Sequence, residues 1–137
     1  MKTRRTEIKQ AFKQSSPEMG IFQIRNKANG KIYVAASRNL EGERNSRLFQ
    51  LRMGKIVFNR ELQEDLKRHG IDNFEFSVLA VLDRPEPGEP VEQALAALEL
   101  NWLDKLQPFG ERGYNSARGY RRSVERMRNG QFEGEQG

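Results

Sequence analysis

The chain has 137 residues, with 24 Lys and Arg against 19 Asp and Glu (net charge +5), no cysteine and one histidine. Disulfides, thiolate metal centres and multi-histidine sites are excluded, and a reducing, cytoplasmic setting is the expectation. The length supports one domain with a modest core; no apolar run approaches the roughly 20 residues of a membrane span, and the basic N-terminus lacks a signal-peptide core.

The charge is unevenly placed. Residues 1–14 sum to +4 and residues 116–137 to +2, which leaves the middle near −1. Basic ends on a near-neutral body suit phosphate contacts that hold a polyanion, with Arg4, Arg5 and Lys9 at one end and Arg118, Arg121 and Arg122 at the other. Plain solvated terminal charge is the alternative. An anionic membrane would also require an apolar helix face.

Residues 3–14 read as a short basic helix with Ile8 and Phe12 one turn apart, ended by Ser15-Ser16-Pro17. A hairpin follows, Gly20 to Ile24 and Lys31 to Ala35, with Asn29-Gly30 as the turn signal. An even loop of two or four residues puts Phe22, Ile24, Tyr33 and Ala35 on one face and Ile21, Gln23, Ile32 and Val34 on the other. The aromatic face is either core or the wall of a site.

Asn39 is a candidate N-cap for a helix that runs to about Met53 and closes at Gly54, with Leu40, Arg44, Arg47, Leu48 and Leu51 on one face. Asn59 caps a second helix carrying Leu62 and Leu66. His69, beside Gly70, reads as a partner for the helix dipole. Residues 73–82 form the clearest strand: Phe74, Phe76, Val78, Ala80 and Leu82 line one face, the other face is largely apolar, and a central place in a small sheet follows.

After a Pro-rich loop over 83–90, a helix from Val91 to about Leu106 carries an arc of Val91, Leu95, Leu98, Trp102, Leu103 and Leu106. Glu99 falls inside that arc. A carboxylate there needs a cation, a donor set or a metal, and the plain reading is an ion pair with an arginine. Gly113-Tyr114-Asn115 and an Arg-rich tail close the chain, whose last eight residues read as disordered.

Nucleophilic triads, Gly-rich phosphate loops and paired carboxylates have no candidates here. What remains is Glu99, two tyrosines, an asparagine and arginines, a set suited to phosphodiester chemistry with one hard cation: Mg²⁺ or Mn²⁺ on Glu99, arginines on phosphate and a tyrosine on water.

The order Gly-Ile-Phe…Tyr-Val-Ala, a helix with basic residues, Asn-Phe-Glu-Phe-Ser-Val-Leu, Glu-x-x-Trp and Gly-Tyr-Asn resembles the GIY-YIG nuclease superfamily over about residues 19–116. The ending from Trp102 to Asn115 is similar to that of small bacterial relatives, some standing alone and some fused to transcription regulators. The resemblance implies an α/β (α+β type) domain with a three-stranded antiparallel sheet flanked by helices, and DNA cleavage with one divalent metal. By position, Glu99 matches the metal-binding glutamate, Asn115 the closing asparagine and Tyr33 the first residue of YIG.

Three departures bear on activity. Phe22 stands at the GIY tyrosine and has no hydroxyl to move a proton. Ala35 replaces the YIG glycine. Glu43 falls at the catalytic arginine and Arg47 at the helix histidine, with Arg44 one step away.

The expectation is a basic segment (1–18), the GIY-YIG-like domain (19–116) and a basic tail (117–137). The leading functional reading is nucleic-acid binding through Arg44, Arg47 and the basic ends, with DNA as the partner and cleavage weak or lost. The others are an active Mg²⁺-dependent endonuclease using Glu99, Tyr33, Arg44, Arg47 and Asn115, and a protein-interaction module without metal.

Overall fold

The computed structural model describes residues 17–83, 88 and 90–130. The helix expected over 3–14, with Arg4, Arg5 and Lys9, and the segment 131–137 lie outside the described residues. In chain order the elements are β1 (Gly20–Asn26), β2 (Ile32–Ser37), α1 (Leu40–Met53), α2 (Arg60–His69), β3 (Phe74–Val81), α3 (Val91–Leu106) and α4 (Ala117–Arg128). The strands form one antiparallel sheet in the order β2-β1-β3. No helix among the described residues is long and apolar enough to cross a membrane.

The hairpin has the even register that its alternation requires, with Phe22 opposite Ala35 and Ile24 opposite Tyr33. The connection is the four-residue form: the Asn26 amide donates to the Lys31 carbonyl (2.9 Å), and Gly30 supplies the left-handed residue at φ 78°. Asn29 contributes through its side chain, which accepts from the Lys31 amide (3.0 Å).

Both faces of the sheet are covered. Phe22 and Ile24 pack with Leu40 and Leu51 of α1, Leu62 and Leu66 of α2, and Tyr114. Ile21 and Val34 pack on the opposite face with Leu95 and Leu103 of α3. The caps read from sequence are in place: Asn39 Oδ1 accepts from the Gly42 amide (3.0 Å), Asn59 Oδ1 accepts from the Leu62 amide (2.9 Å), and Gly54 closes α1 in the left-handed region.

Two expectations are corrected. The apolar strand β3 is an edge and β1 is the centre. β3 buries Phe74 on one face and packs Leu79 and Ala80 on the other, yet leaves Val78 and Val81 nearly half exposed, as an edge strand can. Its alternation also breaks. Phe22 pairs with Val78 but Ile21 with Ala80, so a bulge at Leu79 sends Phe74 and Phe76 to the α1/α2 face and Ala80 and Leu82 to the α3 face. Within the basic tail, residues 117–128 also form a docked helix. Ser116 caps α4 by accepting from the Gly119 amide (2.9 Å), the Tyr120 ring packs on Phe109 (5.2 Å), and its hydroxyl donates to Asp104 (3.2 Å). Ala117, Tyr120, Val124 and Met127 recur at helical spacing and give α4 an inward face.

Candidate active site at the hairpin edge

β2 pairs with β1 on one side only, so its other edge exposes backbone groups that need partners. The ending of the domain and α3 supply them in sequence along the strand. The Tyr114 amide donates to the Ile32 carbonyl (2.9 Å). Asn115 clasps Val34 from both sides: its Oδ1 accepts from the Val34 amide (2.8 Å) and its Nδ2 donates to the Val34 carbonyl (2.7 Å). Next along the edge, Glu99 Oε2 accepts from the Ala36 amide (3.0 Å).

Two readings change with this geometry. Glu99 is held by a backbone donor, and no arginine pairs with it among the described residues. The helical wheel could not show this, because the donor belongs to a strand edge remote in sequence. Asn115 uses both ends of its amide on Val34 and so fixes the strand that carries Tyr33.

Burial pushes the Glu99 carboxyl above the usual carboxylate range, and the Ala36 hydrogen bond only partly opposes this. In the window above its ordinary value of 4.5 the folded state therefore holds a proton that the unfolded chain releases, and stability falls as pH rises through the raised pKa. Glu99→Gln keeps an acceptor for Ala36 and removes that loss. With chelator present, urea unfolding should find the Gln variant equal to wild type near pH 4 and at least as stable at pH 8. Glu99→Ala strips the Ala36 amide of its partner and should cost about 1–2 kcal/mol. A wild type clearly more stable than the Gln variant at pH 8 would contradict this account of the site.

The other half of the site lies on α1 and the loop after it. Arg47 lays its guanidinium on the Phe58 ring (4.1 Å to the centroid) and donates through Nη1 to Gln50 Oε1 (3.2 Å). Its Nε sits 2.6 Å from Glu43 Oε2. Tyr33 packs on the same Phe58 ring (4.9 Å), and Phe22 lies beyond it (6.3 Å). Burial raises the Tyr33 pKa; Arg47 opposes the shift, and the carboxylates of Glu99 and Glu43 reinforce it. Tyr33 is therefore within electrostatic reach of all three charges. At neutral pH it is a hydrogen-bond donor, not a phenolate.

Tyr33, Arg47 and Glu43 are thus gathered around Phe58, while Glu99 and Asn115 lie along the β2 edge at Ala36 and Val34. Arg44 is exposed and makes no ion pair among the described residues. It lies off the buried stripe of α1, which Leu40, Leu48 and Leu51 occupy. Phe22 is core, 1% exposed and stacked on Phe76 (5.1 Å between centroids). Ala35 packs at the rim of the same cluster. Arg118, Arg121 and Arg122 are exposed on α4. Phe58, the shared platform, was not singled out from sequence: a Phe before an N-cap gives no sign that a guanidinium will stack on it.

A divalent cation fits this donor set in one way. Glu99 Oε2 is fixed by the Ala36 amide, and among the described residues Oε1 takes no hydrogen bond. No cluster of three or more His, Asp or Glu side chains occurs among the described residues, so Glu99 would be the single protein ligand, with water and phosphate oxygens completing the shell.

A small antiparallel sheet with helices on both faces, and an anchored carboxylate beside a hairpin tyrosine, define an α+β domain of nuclease type. Residues 18–115 match the family model described as the GIY-YIG catalytic domain, and the chain belongs to the GIY-YIG family. Among solved structures, the catalytic domain of the homing endonuclease I-TevI is 29% identical, with a TM-score of 0.54 over 72% of this chain and 98% of that one. A mutant catalytic domain of the same intron endonuclease gives 26% identity and a TM-score of 0.56, over 72% of this chain and 92% of that one. None of the curated proteins searched matches the chain.

Proposed function

We propose that this domain binds nucleic acid, with DNA as the partner, and that phosphodiester cleavage by it is weak or lost. The observation that carries this reading is the Glu43–Arg47 pair at 2.6 Å. Glu43 occupies the position of the family's catalytic arginine, and it also neutralises the neighbouring arginine best placed to replace it. Phe22 adds the loss of a hydroxyl at the GIY tyrosine. Each missing electrostatic group of this kind costs about 10²–10³ in rate.

Binding is supported by exposed Arg118, Arg121 and Arg122 on one solvent face of α4, and by the basic N-terminal sequence with Arg4, Arg5 and Lys9. These are backbone-phosphate contacts, so affinity for a DNA duplex should fall steeply with salt. Binding that ignores salt, or no binding at low salt, would sink the proposal.

A second reading, a Mg²⁺- or Mn²⁺-dependent endonuclease with a rearranged site, is favoured by Glu99, which the Ala36 amide holds through one carboxylate oxygen only among the described residues. Glu99 would hold the cation, which would polarise a phosphate oxygen when bound. Tyr33 would orient water as a donor, and Arg47 would take the phosphate charge. Plasmid nicking with Mg²⁺ or Mn²⁺ separates the two readings. Under the first, wild type nicks no faster than Glu99→Ala; a rate at least tenfold above that variant would establish the second.

A further inference from the structure

We propose that Glu43 is an internal counter-anion that holds Arg47 in reserve and must be displaced before Arg47 can take a phosphate. The inference rests on the nucleic-acid-binding reading and concerns which residue sets access to its site.

The resting state of Arg47 satisfies charge but not hydrogen bonding. Both side chains of the pair are about four-fifths buried, at 20% and 19% exposure. Glu43 Oε2 lies 2.6 Å from Nε, yet the buried Nε–H makes no hydrogen bond. The carboxylate compensates the guanidinium from one side without meeting its N–H. A buried donor left in that condition costs free energy, and a phosphate that offers two oxygens to the guanidinium fork would relieve it. Phe58 and Gln50 fix the guanidinium from other sides, so the fork need not be reorganised when anions exchange.

Two consequences follow. Arg47 releases no counterion when wild type binds DNA, because Glu43 already neutralises it. Removing the charge of Glu43 turns Arg47 into one additional phosphate contact, which adds about 0.9 to the slope of log K against log salt on duplex DNA. Glu41 lies on the same helix but is exposed and makes no ion pair among the described residues, so it reports the effect of simply deleting one negative charge.

The test titrates a fluorescein-labelled DNA duplex with wild type, Glu43→Gln, Glu41→Gln, Arg47→Ala and the Glu43→Gln/Arg47→Ala double variant, across a salt series, after thermal melts show each is folded. Glu43→Ala is the second variant should the Gln form fail to fold. The expected result is a gain of about fivefold to tenfold for Glu43→Gln near physiological salt, with the steeper slope, and under twofold for Glu41→Gln. In the Arg47→Ala background the gain should vanish. Wild-type binding with no gain for Glu43→Gln, or an equal gain without Arg47, overturns this inference and leaves the binding reading standing. No binding by any variant overturns both.

Discussion

Gly113→Ala is expected to destabilise the domain by about 3 kcal/mol, at the top of the usual range for overpacking, and to lower Tm by on the order of 10 °C or more. A Cβ on Gly113 would lie 2.4 Å from the Pro108 carbonyl oxygen and 2.5 Å from that of Ile32. Both neighbours are backbone, so neither can rotate away. The Ile32 carbonyl accepts from the Tyr114 amide and the Pro108 carbonyl from the Asn115 amide (2.9 and 3.0 Å). Prying them apart would loosen the contacts that cover the β2 edge and place Asn115 on Val34. A calorimetric melt checks this, and a loss under 1 kcal/mol would mean that the 108–115 segment is not the rigid clamp described here.

Tyr114→Phe is expected to cost about 2–3 kcal/mol, although it removes a single atom. The Tyr114 hydroxyl donates to Asp65 Oδ2 (2.7 Å) and accepts from Asn26 Nδ2 (3.1 Å), and all three residues are buried. Asn29 also donates to Asp65 (3.2 Å), so the network ties the hairpin turn to α2 and to the loop that carries Asn115. Phenylalanine would leave the Asn26 amide without its acceptor and the Asp65 carboxylate without its closest donor.

The same network sets a pH dependence at both ends. Burial pushes the Asp65 carboxyl up, but hydrogen bonds from Tyr114 and Asn29, with the charges of Lys31 and His69, outweigh it and hold the pKa below the usual 3.8. That contribution is present above about pH 4 and is lost as pH falls through the lowered value. Burial, then the Asp65 bond, raises the Tyr114 pKa above the ordinary 10, so its contribution is complete below pH 10 and is lost as pH rises further. Tyr114→Phe should flatten the alkaline limb and weaken the acid one, readable in urea midpoints across pH.

Much of this domain was legible in the chain itself. Hairpin register, the Asn39 and Asn59 caps and the span of α3 follow from alternation, capping chemistry and helical period, which are local properties. Motif order was legible too, and it led to the GIY-YIG family that the comparisons show. Helix α4 within the basic tail was not read from the sequence, because four apolar positions spaced along an Arg-rich stretch are a weak signal until a surface exists to receive them.

What the sequence determined by itself was the fold family, with Glu99, Tyr33, Glu43 and Arg47 as candidate site residues. Only the tertiary structure decided what each of them holds. Glu99 and Asn115 serve the open edge of β2, through backbone donors and acceptors more than 60 residues away in the chain. Glu43 and Arg47 meet each other one helical turn apart, but it is Phe58, from the next loop, that holds the guanidinium in place. Side-chain identity is written locally, whereas the partner of a buried polar group is fixed only when distant backbone arrives beside it.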